Sequence, residues 1–175
     1  IYAGAQKNIG PAGVVVIIAR RDFIKGREKT LPTMLNYETH MDKESLYNTP
    51  PVFGVYIVGL VAKWLKKQGG LVAMQERNEK KAAVVYAALD AHPDFYKAYA
   101  QKESRSMMNV TFGTPSEELD KLFAKEAVKH GMKGLKGHRS LGGIRASISN
   151  AMPMEGCEAL AKYMEEFYQA HKSDV

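Results

Sequence analysis

The sequence predicts an α/β protein in which a buried strand and long helices are followed by a smaller α+β arrangement. Residues 14–19 form a continuous, mostly β-branched apolar run, which is typical of a strand covered on both faces. Helical periodicity dominates from 49 to 89. Alternating apolar and polar residues at 106–112 and 144–148 then predict half-buried strands, with amphipathic helices between and after them. Helices that back strands on one face make an α+β layer.

The composition is that of an ordinary folded protein, with 45% hydrophobic and 25% charged residues among the 175. The apolar runs are shorter than the roughly 18 residues that span a bilayer, and no leader-like pattern opens the chain. The single cysteine, Cys157, excludes an internal disulfide and fits a reducing compartment. We therefore expect a cytoplasmic protein with no membrane partner.

The formal net charge of +6 raises the question of a nucleic-acid partner. The basic residues are interleaved with acids, as in Lys43-Glu44 and in Lys121, Lys125 and Glu126. Such mixing is typical of solvated helix faces rather than of a basic binding patch. We expect no nucleic-acid partner, and small anionic substrates make better use of a modest positive excess.

The first candidate for chemistry is Lys7, which lies among small residues in a turn that leads into the run 14–19. Small neighbours allow a flat ligand to approach the backbone, and an amine in a dry, rigid turn can lose its proton and form a Schiff base. Taken alone, a lysine in a glycine-rich loop is usually an ordinary solvated side chain.

A long loop and then a helix are predicted for the rest of the first part. Residues 26–47 lack periodicity, and long ordered loops are often functional. Thr49 is the expected N-cap of the helix, with Pro50 at its first position. Phe53, Ile57, Leu60, Val61, Trp64 and Leu65 form its apolar stripe, and the glycine pair 69–70 ends it. Asn48 and Thr49 cap this helix, and its free amides also suit a phosphate.

The second part begins with an amphipathic helix, 71–89, that ends at His92-Pro93. After the strand 106–112, the segment 114–117 predicts a capping box, and Gly131 ends the helix that follows. A strand within 132–138 is possible.

The strand 144–148 places Arg145 on its polar face, and the last helix, opened by Pro153, carries Cys157 on its buried side. Planar guanidinium groups bind carboxylates and phosphates through two parallel hydrogen bonds, which makes Arg139 and Arg145 candidates for anion binding. The glycines around His138 and Arg139 allow unusual turns, although an arginine beside glycine is by itself most often a surface residue.

Three segments, spread in order along the chain, resemble one family. They are YAGAQKNIGPAG (2–13), HMDKESLYNTPPVFGVY (40–56) and KGHRSLGGIRASISNAM (136–152). The sequence is similar to the phosphoserine aminotransferase family, which comprises pyridoxal-phosphate enzymes of fold type I in the class-V aminotransferase group. The resemblance extends over essentially all of the residues.

The resemblance implies a domain organisation. In the family the cofactor lysine lies near the middle of a longer chain, so the sequence is expected to match a C-terminal half. Residues 1–70 would then be the remnant of the large cofactor-binding domain, and 71–175 the small C-terminal domain. In the family, the portion of the chain that precedes the matched half supplies an aspartate for the pyridine nitrogen, a stacking aromatic and most phosphate contacts. The 175 residues alone are therefore expected to be inactive.

The resemblance also implies the cofactor contacts. Lys7 would hold pyridoxal 5'-phosphate and move the proton of the substrate Cα, and Gln6 would hydrogen-bond the cofactor. Asn48 and Thr49 would reach across a homodimer interface to the cofactor phosphate of the neighbouring subunit. No metal is implied.

The substrate contacts follow from the same resemblance. His138 and Arg139 would help to bind the substrate phosphate, and Arg145 the α-carboxylate. The reaction would exchange an amino group between glutamate and 3-phosphohydroxypyruvate, giving phosphoserine and 2-oxoglutarate in serine biosynthesis, with a possible second use in pyridoxine biosynthesis.

Two other classes of function stay open. Another class-V pyridoxal-phosphate enzyme, such as a cysteine desulfurase, needs a nucleophilic cysteine on a mobile loop, and the predicted burial of Cys157 argues against it. A non-catalytic binding module is the second alternative, because half of an active site would be absent.

Overall fold

The structure is a computed structural model that describes residues 1–25 and 30–173. The chain divides into two compact units, Ile1–Gly70 and Leu71–Val175, which are called the first and the second unit. The long loop expected over 26–47 includes residues 26–29, which lie outside the described residues.

The first unit opens with an antiparallel hairpin. Strand β1, Tyr2–Gly4, pairs with β2, Val15–Ile17. The prediction that residues 14–19 are covered on both faces is wrong for this unit, because Val15 is 62% exposed and Ile17 43% exposed. Two short helices flank one face of β2 but leave an open groove of about 440 Å³ there, so the strand has no packed layer on that side.

Those helices are α1, Arg21–Ile24, and α2, Tyr37–Asp42. The expectation of an aperiodic segment up to residue 47 is therefore wrong over α2. The Oδ1 atom of Asn36 accepts a hydrogen bond of 2.9 Å from the amide of Glu38 and caps the helix. A six-residue helix is too short to show an apolar stripe, which is why periodicity missed it.

The next helix, α3, spans Val52–Lys67. Its N-cap is Pro51 and it receives no side-chain cap, so the assignment of Thr49 as N-cap is wrong. A proline disfavours helical backbone in the residue before it, and Pro51 therefore prevents a start at Pro50. The predicted stop is confirmed by Gly69, whose φ is 98°.

Two glycines let α3 pack closely on the β1–β2 connection. A Cβ built on Gly54 would lie 2.7 Å from Cγ2 of Val14, and one built on Gly10 would lie 2.8 Å from Cγ2 of Val58. The predicted apolar stripe, in contrast, is not a buried face of this unit, since Phe53 is 73% exposed.

The second unit contains a four-stranded antiparallel sheet in the order β3-β4-β6-β5. The strands are β3 (Lys97–Ala98), β4 (Asn109–Gly113), β5 (Lys136–His138) and β6 (Gly142–Ser147). The alternation predicted for β4 and β6 is confirmed: Val110 opposes Ala146 and Phe112 opposes Ile144, with all four buried. The strand expected within 132–138 is limited to β5.

Three helices share one core with these inward-facing strand residues. They are α4 (Gly70–Ala91), α5 (Glu117–Ala127) and α6 (Met154–His171). Edge-to-face aromatic pairs fill the centre, with ring centroids 5.7 Å apart for both Tyr96–Phe112 and Phe112–Phe123. The predicted α+β layer is confirmed.

The start of α5 differs from the predicted capping box. Ser116 is the N-cap, and its Oγ accepts a hydrogen bond of 3.2 Å from the amide of Leu119. Thr114 instead donates from its amide (2.7 Å) and its hydroxyl (2.8 Å) to the carboxylate of Asp120. A helical segment ends at Gly131, as predicted, with φ at 80°.

A buried lysine on α4 fastens the segment that follows β6. The fully buried Lys81 donates from Nζ to the carbonyls of Ile148 (3.1 Å) and Ser149 (2.7 Å). One turn away, Asn78 donates to the side chain of Asn150 at 2.8 Å. Burial lowers the pKa of Lys81. The sequence pattern missed this clamp, because a lysine in an amphipathic helix is usually solvated.

Candidate functional site

The turn between β1 and β2 carries Lys7. The buried Ala5 anchors it: its amide donates to the carbonyl of Val14 at 2.9 Å, and its carbonyl accepts from the amides of Lys7 (2.6 Å) and Gly10 (2.7 Å). The Lys7 side chain is exposed in this unit, so the expected dry surroundings are not present within the described residues.

Gln6, beside Lys7, lies against a glycine. A Cβ built on Gly4 would collide with Oε1 of Gln6, so the absence of a side chain at position 4 makes room for this amide. The Gln6 side chain is also exposed. The turn therefore presents a primary amine and a carboxamide side by side to solvent.

Asn48 and Thr49 lie on the approach to α3, and both are exposed. The Nδ2 atom of Asn48 donates to the Thr49 carbonyl at 3.1 Å. Neither side chain caps α3. Within residues 1–25 and 30–173, no hydrogen bond or ion pair joins either of them to Lys7.

The β5–β6 hairpin carries His138 and Arg139. The Leu141 amide donates to the His138 carbonyl at 3.1 Å, which closes the turn. Nδ1 of His138 accepts a hydrogen bond of 3.2 Å from the amide of Ser140. In the neutral ring the proton therefore lies on Nε2, which is the atom free to donate to a ligand. Arg139 is exposed in the turn.

Glycines shape this hairpin. Gly142 and Gly143 have φ values of 69° and 71°, which favour glycine. A Cβ on Gly137 would collide with the carbonyl of Gly142 and lie 2.5 Å from the carbonyl oxygen of Gly143. The turn that presents His138 and Arg139 therefore requires glycine at positions 137, 142 and 143.

Arg145 lies on β6, on the face that points away from the core. We call this the outer face of the sheet; Arg145 is paired there with Thr111 of β4. The side chain is partly buried, and its Nε atom is buried with no hydrogen-bond partner among the described residues. A buried guanidinium N–H without an acceptor is unfavourable, so this group is suited to receiving an anionic ligand.

The structure thus brings five of the seven predicted site residues together in two sets, each within one unit, whereas Asn48 and Thr49 join neither set. Lys7 and Gln6 share the β1–β2 turn, and His138, Arg139 and Arg145 share the β5–β6 hairpin. The sequence analysis missed the clamp made by Lys81, which holds the chain directly after the strand of Arg145.

Cys157 is fully buried on α6, as predicted, and burial raises the pKa of its thiol. Both properties disfavour a nucleophilic thiolate. Within the described part of the chain, no group of three or more His, Cys, Asp or Glu side chains could hold a metal ion. No helix among the same residues is both long enough and apolar enough to cross a membrane.

Several known proteins are similar to this chain in sequence and in fold. It is 58% identical over 167 residues to phosphoserine aminotransferase of Geobacillus kaustophilus, which covers 95% of this chain and 46% of the relative. The structure matches phosphoserine aminotransferase from Bacillus circulans subsp. alkalophilus with a TM-score of 0.94 and 52% identity, over 97% of this chain and 47% of that one.

A more distant match is the pyridoxal-phosphate-bound phosphoserine aminotransferase of Trichomonas vaginalis. Its TM-score is 0.88 at 37% identity, over 94% of this chain and 47% of that one. The chain thus spans about half the length of the curated relatives it matches. The model of the class-V aminotransferase family matches residues 1–160. Since this match includes nearly all of the described hairpins, strands and helices, the chain belongs to the class-V aminotransferase family.

Proposed function

We propose that this chain serves phosphoserine aminotransferase activity, the transfer of an amino group between glutamate and 3-phosphohydroxypyruvate. The observation that carries the proposal is the buried, unpartnered Nε atom of Arg145, on the same hairpin as His138 and Arg139. Both substrates are polyanions, and such a cluster of charge-assisted donors is what their recognition requires. The relatives that bear this name support the choice of substrates.

Pyridoxal 5'-phosphate fits the donors of the first unit. A Schiff base requires an accessible primary amine, and Lys7 is exposed on a turn anchored by three backbone hydrogen bonds to Ala5. The Gln6 amide, next to it, can hydrogen-bond the cofactor. Asn48 and Thr49 would hold the cofactor phosphate of a second subunit, in a homodimer. When bound, the cofactor supplies an electron sink for the substrate Cα.

The remaining steps belong to the side chains of this protein. The Lys7 amine takes the proton from the substrate Cα. The backbone of the turn is fixed, and the flexible lysine side chain needs only a short movement to reach that proton. Arg145 binds the α-carboxylate that all the substrates share. His138 and Arg139 bind the phosphate, which only the phosphorylated substrates carry. Because the two anion sites lie on one hairpin, they fix the direction of the substrate.

Two alternatives are weaker. A cysteine desulfurase would need a reactive thiol, and Cys157 is buried on a helix. A non-catalytic binding module explains the arginines but assigns no role to Lys7. The expected use in serine biosynthesis, and in pyridoxine biosynthesis, follows from the substrates. The cytoplasmic location stays a prediction.

The test replaces Lys7. This chain would be joined to the part of the Geobacillus kaustophilus relative that it does not match, and the Lys7→Ala variant compared with the parent. Turnover of glutamate with 3-phosphohydroxypyruvate is expected to fall by several orders of magnitude, with an unchanged melting temperature, because the change empties no core. Borohydride trapping and peptide mass spectrometry are expected to place the cofactor on Lys7 in the parent.

The matched control is Lys66→Ala, which removes an exposed lysine from the last turn of α3 in the same unit. It should leave both turnover and trapping unchanged. Retained turnover in Lys7→Ala would refute the role of Lys7, and a folded, cofactor-bound parent that turns over neither substrate would refute the proposed activity.

A further inference from the structure

Two glycines lie next to each other on the outer face of the sheet. The register that pairs Phe112 with Ile144 places Gly113 of β4 beside Gly143 of β6. Because Phe112 and Ile144 point into the core, both glycines belong to the opposite face. The sheet therefore has a bare patch of backbone there, which we call the glycine pair.

The ring of Tyr99 occupies this patch. A Cβ built on Gly113 would lie 2.7 Å from the Tyr99 hydroxyl, and one built on Gly143 would collide with the hydroxyl and lie 2.8 Å from Cε2 of the ring. Any larger residue at either position would displace the phenol. The amide of Tyr99 donates to the carbonyl of Thr111 at 3.3 Å, which fixes where the side chain begins.

This position places Tyr99 on the same face of the sheet as Arg145, with only the strand β4 between them. Thr111, the backbone partner of Tyr99, is the cross-strand neighbour of Arg145, and Gly143 is two residues from Arg145 on the same strand. Residues two apart on a strand share a face and are separated by about 7 Å. A phenol that extends over Gly143 therefore lies within the reach of an arginine side chain.

Both groups have hydrogen-bonding capacity that the protein does not use. Tyr99 is 57% exposed, and its hydroxyl has no hydrogen-bond partner among the described residues. The Nε atom of Arg145 is likewise unpartnered, and it is buried. Two unused donors on one face of the sheet, with the position of Thr111 between them, are suited to a shared acceptor.

We propose that Tyr99 is a substrate-binding residue, whose hydroxyl donates a hydrogen bond to the same substrate carboxylate that Arg145 binds. This inference rests on the proposed function, since it takes the ligand of Arg145 from there. Arg145 supplies the positive charge, and Tyr99, held in place by the glycine pair, fixes the orientation of the carboxylate through its hydrogen bond. The carboxylate is common to glutamate and phosphoserine, so Tyr99 serves both halves of the reaction.

The protonation state of Tyr99 agrees with a donor role. Burial against the sheet raises its pKa, and the negative charge of Asp120 adds to that effect. The hydroxyl therefore keeps its proton throughout the neutral range. One oxygen of the Asp120 carboxylate, Oδ1, accepts from the amide and the hydroxyl of Thr114, and no hydrogen bond joins Asp120 to Tyr99 among the described residues.

The test is direct ligand binding by the purified chain with its glycines labelled with nitrogen-15. Shifts of the Gly143 and Gly113 amide signals would be followed against glutamate, O-phosphoserine and inorganic phosphate. Tyr99→Phe keeps the ring on the glycine pair and removes only the hydroxyl. We expect both amino acids to bind about tenfold more weakly, with unchanged binding of inorganic phosphate and an unchanged melting temperature.

Four comparison variants separate this role from a structural one. Tyr168→Phe removes the hydroxyl of a partly buried phenol on α6, whose ring stacks on His92 with the centroids 3.6 Å apart, and should change nothing. Arg145→Ala should weaken the same two ligands as Tyr99→Phe, whereas Arg139→Ala should weaken only O-phosphoserine and phosphate. A double variant of Tyr99 and Arg145 should lose less than the sum of the single losses, because both contact one group.

The outcomes are distinct. Unchanged binding of both amino acids in Tyr99→Phe, or a parent chain whose Gly143 signal responds to no carboxylate, would overturn the proposal. A loss confined to O-phosphoserine and phosphate would also overturn it, because Tyr99 would then contact the phosphate. Failure of the proposed activity is seen elsewhere, in the turnover of the joined protein, and would leave a carboxylate site on the outer face intact.

Discussion

At the scale of single residues, His138 shows how a turn can fix the hydrogen-bonding roles of a side chain. Its two ring nitrogens are assigned to different tasks: Nδ1 accepts the Ser140 amide, and Nε2 is left as the outward donor. The motif around His138 predicted a phosphate contact, but the tautomer depends on the backbone of the turn, which no sequence pattern specifies.

Two substitutions can separate these tasks. His138→Asn places an oxygen near the position of Nδ1 and should keep the turn, but it removes the outer donor. His138→Gln places an amide nitrogen near the position of Nε2 and removes the inner acceptor. We expect inorganic phosphate to bind several-fold more weakly to the Asn variant than to the Gln variant.

The measurement combines phosphate titration with the hydrogen exchange of the Ser140 amide. That amide should exchange faster in the Gln variant and stay protected in the Asn variant, because only the latter retains an acceptor. If the Asn variant binds phosphate as tightly as the parent, Nε2 is not a phosphate donor and His138 acts only in the turn.

Other residues show which features of the structure cannot be predicted from sequence patterns. Lys7 and Arg139 could be proposed from the sequence because motifs name residue types at fixed positions. The positions of Tyr99 and Lys81 were missed because they depend on tertiary neighbours: the glycine pair in one case, and two carbonyls 67 and 68 residues away in the other. The sequence offered one weak signal for Tyr99: Gly113 and Gly143 border the predicted strands 106–112 and 144–148, and glycine in a strand often marks a close approach of another group.

At the scale of elements, long periodic segments were predicted well and short ones were not. The 22 residues of α4 and the 18 of α6 carry several turns of apolar pattern, and the alternation in β4 and β6 follows the buried side chains. The start of α3 was misplaced because the effect of Pro51 on Pro50 outweighs the capping preference of Thr49.

One ion pair between elements gives a pH-dependent prediction. Arg105, before β4, donates two hydrogen bonds to Asp90 of α4, at 2.7 Å and 2.6 Å, and its guanidinium lies 4.5 Å from the ring centroid of Tyr86. The hydrogen bond from Arg105 holds the pKa of Asp90 below its usual value. The folded state therefore gains stability from ionised Asp90 above about pH 4, and loses it as the pH falls through the lowered pKa.

We expect Asp90→Asn to lower the free energy of unfolding by about 1 kcal/mol at neutral pH, since the pair is bidentate but partly exposed. The difference from the parent should shrink as the solution is made more acidic than about pH 4. Urea titrations followed by near-ultraviolet circular dichroism would measure the free energy of unfolding of both proteins at each pH. Glu117→Gln is the control, because its ion pair with Lys121 is exposed. A difference that persists in acid would show that the carboxylate charge is not the cause.

At the scale of the whole molecule, the two units differ in how their apolar residues are placed. The second unit has a continuous core of aromatic and aliphatic side chains from α4, α5, α6 and the sheet. In the first unit many large apolar side chains are exposed, among them Val15, Ile18, Val52, Phe53 and Tyr56. The two compact units meet at Gly70. The assignment of residues 1–70 to a large domain and 71–175 to a small one, which the family resemblance implies, stays a prediction.

This contrast has a thermodynamic consequence, because burial of apolar area is the main favourable contribution to folding. The predicted buried strand over 14–19 is an exposed hairpin strand here, since a run of apolar residues specifies what a strand prefers to contact but not whether the contact is present. A two-stranded hairpin is marginal by itself in water. The relatives are about twice as long as this chain, and their additional residues are the candidates to cover it.

The last prediction concerns amide hydrogen exchange along the purified 175-residue chain. Core amides of β4, β6, α4 and α6 should be protected up to the global stability of the second unit, because their exchange requires the buried aromatic cluster to open. Amides of β1, β2 and α3 should exchange faster by orders of magnitude, since the exposed apolar faces of the first unit contribute little to its stability. Mass spectrometry of peptic peptides, with the oligomeric state measured at the same concentration, would test this. Addition of the unmatched part of the Geobacillus kaustophilus relative should slow exchange in β2 and α3 and leave β4 unchanged. Strong, uniform protection of residues 7–67 in a monomer would mean that the first unit is stable without any further covering.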